Sequence, residues 1–310
     1  MKIEITKPEI NEKASWILSH IDNKQRGHLR QVEILKFLTL WKYATIKQLE
    51  LLTAEKDRNI YKHLNRLEKL ELINREKYYT FNIVSITRRG IELIAELTGI
   101  KPELLITKEN YKKQISFLEH QLMLRTFAIR LFSKDLQIPL PFPIYLKVLY
   151  KTFKGKEKIV NKIHRADFIL LKKEQENINL IGFEYENRYK KRDQLAKKFK
   201  SMKDSLGRFY EGYFILAKDT NTFTRVKRTL FEESKKSYEI LKLFNTTNLS
   251  TENPLTIEEL KEVNEEVKKI INQLYNAFSS YDNLSEIPIL KKKIALPTQT
   301  KKSPSQSIDM

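Results

Sequence analysis

The stretch from His164 to Lys191 reads HRADFILLKKEQENINLIGFEYENRYKK and sets three acids, Asp167, Glu184 and Glu186, inside apolar runs of strand-like composition. If ADFILL and INLIGFEYE pair as antiparallel strands through KKEQEN, the turn centre falls between Gln175 and Glu176, and mirror counting puts Asp167 opposite Glu184. Cross-strand neighbours hold their Cβ atoms about 4.5–5.5 Å apart, and side chains alternate with a period of two, so Glu186 shares the face of Glu184. Three carboxylates on one small patch repel, and burying each without compensation costs several kcal/mol. A hard divalent cation, Mg²⁺ or Mn²⁺, offsets that repulsion. It takes oxygen ligands, is usually held by one or two carboxylates plus a phosphate, polarises a scissile phosphate and lowers the pKa of a bound water. The basic neighbours His164, Arg165, Arg188, Lys190, Lys191 and Arg192 offer the other resolution, a salt-bridge network. From the acids alone the two readings stand level.

The acids need a sheet and flanking helices to position them. KQISFLEHQLMLRTFAIRLF reads as a long amphipathic helix with Leu118, Leu122, Thr126 and Ile129 along one side, ended by PLPFP, since proline removes a donor and restricts the residue before it. PIYLKVLYKTF, ADFILL, INLIGFEYE and YFILA are short β-rich runs, interrupted by the basic helical segment RDQLAKKFKSMKDSLGRF and followed by the helical TRVKRTLFEESKKSYEILKLF. Helix, three strands, helix, strand, helix is an α/β order with one mixed sheet.

Upstream, RQVEILKFLTLWK and TIKQLELLT, the latter opened by Thr45 as N-cap, read as helices. They lead to RNIYKHLNRLEKLELI, which presents Ile60, Leu64, Leu67 and Leu70 on one side and Arg58, Asn59, Lys62, Arg66 and Lys69 on the other. One face packs and the other is cationic. NREKYYTFNIVSIT, carrying Lys77, reads as a hairpin, and RRGIELIAELTG as a helix with Gly99 near its end. Downstream, TIEELKEVNEEVKKIINQLYNAF is an amphipathic helix capped by Thr256, and the stretch from Leu290 is a basic, Lys-, Ser- and Pro-containing tail of disordered composition.

The charge balance of the 310 residues is 58 Lys and Arg against 39 Asp and Glu, a formal +19, which favours a polyanionic partner, and the cations cluster on one helix face. A lysine-rich coding bias is the alternative source of that excess. The absence of cysteine removes disulfides, thiolate zinc sites and thiol nucleophiles. No run of apolar residues is long enough to span a bilayer, and the N-terminus lacks the pattern of a signal peptide, so a cytoplasmic protein is expected. With seven glycines in all, neither G-x-x-x-x-G-K nor G-x-G-x-x-G occurs, and HExxH is absent, so nucleotide binding is not expected.

LNRLEKLELINREK followed by SITRRGIELI resembles the recognition helix and wing of bacterial winged-helix regulators, over about residues 30–98. Asp167 in an apolar strand, a hairpin, Glu184-Tyr185-Glu186 and a following basic helix resemble the PD-(D/E)xK nuclease core. Ala166 stands where that motif has proline, and Glu186 where it has lysine. Taken together with FLEHQLMLRTF, the pairing of units is similar to the replication-relaxation family and the related MOBC mobilisation proteins, over about residues 30–245. The resemblance, with the patterns of the flanking segments, gives an α+β chain: an arm (1–29), a winged helix-turn-helix (30–98), a linker (99–113), a restriction-endonuclease-like domain (114–247), a helical extension (248–289) and the tail (290–310).

It also implies double-stranded DNA at a transfer origin as substrate, other mobilisation or secretion proteins as partners, and metal-dependent nicking of one strand. Asp167 and Glu184 would be metal ligands, Glu186 a ligand or general base, Lys190 or Lys191 a displaced cation, and Glu119 and His120 neighbours of the site. Other members of such families are accessory DNA-binding proteins, and a double-strand endonuclease is a third reading. His120 taken alone is more often a core histidine than a base. Tyr185 and Tyr189 raise a tyrosine nucleophile, although strand alternation turns Tyr185 away from the acids.

Overall fold

A computed structural model describes residues 23–55, 57–107, 115–132, 137–154, 160–161, 163–174, 177–186, 190–206, 209–229 and 257–279. The chain is a mixed α/β protein with two sheets. Helix α1 (Asn23–Trp41) starts seven residues before the persuasive apolar pattern, so part of the expected arm is helical. A short strand β1 (Tyr43–Thr45) leads straight into α2 (Ile46–Thr53). Thr45 is the N-cap: its hydroxyl accepts the Gln48 N–H at 3.2 Å while the Gln48 side chain accepts the Thr45 N–H at 3.0 Å, a reciprocal capping box. Next come α3 (Asp57–Lys69), the hairpin β2 (Ile73–Tyr78) and β3 (Phe81–Ile86), and α4 (Arg88–Thr98), which ends at Gly99 with φ +68°. The sheet order is β1-β3-β2, antiparallel throughout.

Gly90 lets α4 pack tightly on Ile86 of β3 and the Leu72 backbone. A Cβ there would lie 2.4 Å from the Leu72 carbonyl oxygen and 2.8 Å from Ile86 Cγ1. Backbone cannot yield as a flexible side chain can, so Gly90→Ala is expected to destabilise the fold by roughly 1–3 kcal/mol, an overpacking cost measurable by urea unfolding.

Of the stretch expected as a linker, residues 99–107 belong to the fold and 108–113 lie outside the described residues. Residues Pro102–Leu105 form α5, with Ile100 and Leu105 buried in the main core. Lys42 donates to the Leu105 carbonyl, and Lys147 to that of Glu103 at 2.7 Å. Proline and charge made this segment look polar, but Ile100, Leu104 and Leu105 pack into the core and decide its fate.

The second sheet has the order β4-β5-β6-β7. Helix α6 (Ile115–Phe132) precedes β4 (Gln137–Pro141), and α7 (Phe142–Thr152) follows it. The strand expected over PIYLKVLYKTF is therefore a helix, and PLPFP belongs to a strand and a helix start. The burial of Ile144, Tyr145, Val148 and Leu149 has the helical period, which outweighs their β-prone types. Pro139 and Pro141 sit on an edge strand, where a missing donor is tolerated, and Pro143 falls in the first turn of α7. β5 (Phe168–Glu174) and β6 (Asn177–Glu186) continue the antiparallel ladder. Helix α8 (Arg192–Ser205) then carries the chain over to β7 (Gly212–Ala217), parallel to β6. A helix over 220–229 (α9) covers the first part of the long helical segment expected after β7, the rest of which lies outside the described residues. The expected C-terminal helix forms as α10 (Ile257–Ser279), against α7 and β4. The tail from residue 290 lies outside the described residues. Among them, no helix is long and apolar enough to cross a membrane.

One continuous apolar core runs from α1 through β5 and β6 to α10, with Trp41 of α1 edge-on to Phe168 of β5 at 5.6 Å. Arg125 of α6 ties that helix to β1 and the end of α1. It is 0% exposed, lies over the Tyr43 ring at 3.7 Å, and donates to the carbonyls of Tyr43 at 2.7 Å and Trp41 at 2.8 Å. Arg125→Met fills similar volume but leaves both carbonyls without this donor. The expected loss is roughly 2–4 kcal/mol by thermal or urea unfolding, since each unsatisfied buried group costs about 1–3 kcal/mol.

Candidate functional site

The β5–β6 register runs from Phe168↔Phe183 to Glu174↔Asn177, the pairing expected from mirror counting. The ladder ends at Phe168↔Phe183, and the Asp167 N–H donates to the carbonyl of Phe183 at 2.9 Å, so Asp167 stands one residue out of the counted register opposite Glu184. The expected single patch of three carboxylates does not form. Asp167 lies just before β5, where strand alternation no longer dictates its direction. Its carboxylate turns back to accept the Tyr185 N–H at 2.7 Å and to face His120 Nε2 of α6 at 3.5 Å. The His120 ring stacks on Tyr185, centroids 5.7 Å apart and 11° from parallel. Tyr185 thus occupies the face opposite the glutamates, as alternation requires. Among the described residues, no group of three or more His, Asp or Glu is arranged to hold a metal ion.

Glu184 and Glu186 share the other face and are almost fully buried, at 2% and 1% exposure. Lys198 of α8 lies between them, its ammonium 2.5 Å from Glu184 Oε2 and bonded to Glu186 Oε1. The second Glu184 oxygen faces His164 Nε2 at 2.6 Å. His164 is fixed by its backbone: its N–H donates to Ser205 Oγ at 2.8 Å, and its carbonyl accepts the Tyr210 hydroxyl at 2.8 Å. Lys190 lies 2.7 Å from Glu186 Oε2 but is aligned as a donor only to Oε1, at 3.1 Å, so Oε2 receives charge without a well-aligned hydrogen bond.

Electrostatics follow from this pairing. Burial pushes the Asp167 carboxyl up, but the His120 hydrogen bond and the Tyr185 N–H outweigh it and hold it below the usual carboxylate range. Burial likewise opposes ionisation of Glu186, and the Lys198 charge with the Lys190 and Lys198 hydrogen bonds turns the balance downward. Desolvation works against the Lys198 ammonium, yet the two glutamates raise its pKa above the ordinary lysine value. Two carboxylates, a resident ammonium and an adjacent imidazole can hold a cation, orient a phosphate oxygen or move a proton.

Lys198 is the residue that sequence reasoning missed. It lies three residues after Leu195 and four before Met202, both buried with Phe199, so it falls on the inward stripe of α8. A lysine on an apolar stripe is the signal that could have found it. Glu119 is exposed on α6, Lys191 precedes α8, and Arg188 and Tyr189 lie outside the described residues.

The cationic face lies on the other sheet. Ile60, Leu64 and Leu67 of α3 are buried, while Arg58, Asn59, Lys62, Arg66 and Lys69 are exposed, as is Lys77 on β2. A shallow crevice of about 290 Å³ between α3 and the hairpin is lined by Tyr61, Arg75, Lys77 and Asn82.

The fold and site define a mixed α/β protein with a buried Glu-Lys-Glu bridge, an Asp-His pair at the same sheet end, and an exposed cationic helix. No family model, curated protein or solved structure matches the chain.

Proposed function

We propose that the chain is a DNA-binding mobilisation relaxase of the replication-relaxation and MOBC type, which recognises a transfer origin and nicks one strand with Mg²⁺ or Mn²⁺. The observation that carries this reading is the buried pair Glu184 and Glu186 bridging one cation, beside Asp167 at the start of the neighbouring strand. The element order supports it in part: helix, strand, two antiparallel strands, crossover helix and a fourth, parallel strand follow the PD-(D/E)xK resemblance, with α7 inserted between β4 and β5. The amino-terminal order of helix, strand, helix, basic helix, hairpin and helix agrees with a winged helix in the same way.

In this reading α3 lies in the major groove with Arg58, Asn59, Lys62, Arg66 and Lys69 facing the duplex, and Lys77 meets phosphate from the hairpin. A cation already sits between Glu184 and Glu186, so this donor set suits a hard metal that completes its shell with water and phosphate. Glu184 and Glu186 would hold it, with Asp167 nearby at the start of β5, and the bound ion would polarise the scissile phosphate and acidify a water. Lys198 supplies from α8 the ammonium that Glu186 displaces from the motif. His164 orients Glu184, and His120 orients Asp167. The test is nicking of supercoiled DNA carrying the origin, with and without Mg²⁺ and with the acids removed.

A second reading, a non-catalytic DNA-binding accessory or replication protein, is favoured by one observation. Each of the three acids has a protein partner: Lys198 and His164 for Glu184, Lys198 and Lys190 for Glu186, His120 for Asp167. Both readings share one expectation. Arg58→Ala, Lys62→Ala and Arg66→Ala together should weaken duplex binding, and each lost phosphate contact should remove roughly 0.9 from the slope of log affinity against log salt. An unchanged slope in fluorescence anisotropy would favour a protein-docking role for this helix.

A further inference from the structure

We propose that Tyr79 is a wedge that enters duplex DNA from the minor groove at a base step and kinks it; this deepens the DNA-binding part of the reading above. The hairpin register pairs Tyr78 with Phe81, so Tyr79 and Thr80 form the entire loop. Tyr79 has φ +52°. Two-residue hairpin loops usually fill such a position with Gly, Asn or Asp, because a bulky side chain in the left-handed region crowds its own backbone. Strain of this kind persists where the surrounding structure imposes it, and it points to use.

Packing does not account for the residue. Tyr79 is 57% exposed at the tip, whereas its neighbours Tyr78 and Phe81 pack on the cluster of Tyr43, Ile83, Leu118 and Leu122. Those contacts fasten the hairpin tip to α6, and the edge-on contact with Tyr78, centroids 4.7 Å apart at 81°, supports the ring. A strained, exposed aromatic on a rigid mount is what a wedge requires. Lys77, exposed on the same hairpin, supplies the charge that would hold it against the phosphates. Apolar and aromatic wedges unstack a step and bend the duplex, most easily at flexible pyrimidine–purine steps.

The test uses the full chain and a 30-bp duplex with a central TA step, labelled at both ends for energy transfer, at low salt. Wild type and Tyr79→Phe should bind and shorten the end-to-end distance. Tyr79→Asn accepts positive φ without strain, so its thermal midpoint should hold or rise, while the bend is lost and affinity falls several-fold. Equal bends in wild type and Tyr79→Asn, or binding by wild type with no bend, overturn the wedge alone. No binding of any duplex by wild type, under conditions where phosphate contacts are strongest, overturns the DNA-binding reading and the wedge with it.

Discussion

Supercoiled DNA carrying the transfer origin is expected to be nicked by the wild-type chain in Mg²⁺ and left intact by the Asp167→Ala, Glu184→Ala double mutant. A carboxylate-held metal and the groups it orients lower a barrier by several kcal/mol, so the loss should reach about 10³-fold or more. The double substitution suits the geometry, because the two acids lie on different faces and have different partners: Asp167 meets Tyr185 and His120, and Glu184 meets Lys198 and His164. Neither touches the exposed cations of α3, so affinity for the duplex should be unchanged, and loss of nicking with retained binding locates the defect in chemistry. Agarose gels resolve supercoiled from relaxed circles, and anisotropy supplies the binding control. Full nicking by the double mutant would remove both acids from the mechanism. Linearised product in place of open circles would turn the reading toward a double-strand endonuclease.

How far the sequence could carry this site depends on the kind of order each part has. The β5–β6 register was legible because a two-stranded turn between apolar runs leaves one residue count that pairs them, and Phe168↔Phe183 follows from it. The α3 face was legible because helical period separates Ile60, Leu64 and Leu67 from the cations. Asp167 was half legible. Counting put it opposite Glu184, whereas β5 begins after it and its N–H bonds to Phe183, because strand ends are set by competing hydrogen bonds that no period encodes. The helix over Phe142–Thr152 was misread because Ile144, Tyr145, Val148 and Leu149 have β-prone side chains at helical spacing, and core packing rewards the spacing. The partners in contacts between distant segments were not legible, even where a lysine on an apolar stripe could flag one member. Arg125 on the Tyr43 ring and Lys198 between two glutamates join residues whose sequence neighbourhoods hold no trace of each other.

Lys198 also separates the two functional readings by stability alone. Lys198→Met keeps the length of the side chain and removes the ammonium, so Glu184 and Glu186 face each other across a buried gap with only His164 and Lys190 left as partners. Breaking a buried ion pair by removing one member typically costs about 3–5 kcal/mol. With Lys198 only 16% exposed and the glutamates less, solvent offers little relief. A large drop in the metal-free thermal midpoint is therefore expected on either reading. Mn²⁺ then discriminates. If the acids form a metal site, the ion replaces the missing charge, and at a hundred times its dissociation constant it returns about 2.7 kcal/mol to the folded state. The midpoint of the variant should then rise more than that of wild type, where the ammonium already holds the position and competes. If the cluster is only a salt-bridge network, Mn²⁺ moves neither midpoint, and the variant stays destabilised at every metal concentration. The second outcome would leave the cationic α3 and its duplex as the functional surface, with the carboxylate hairpin as scaffold.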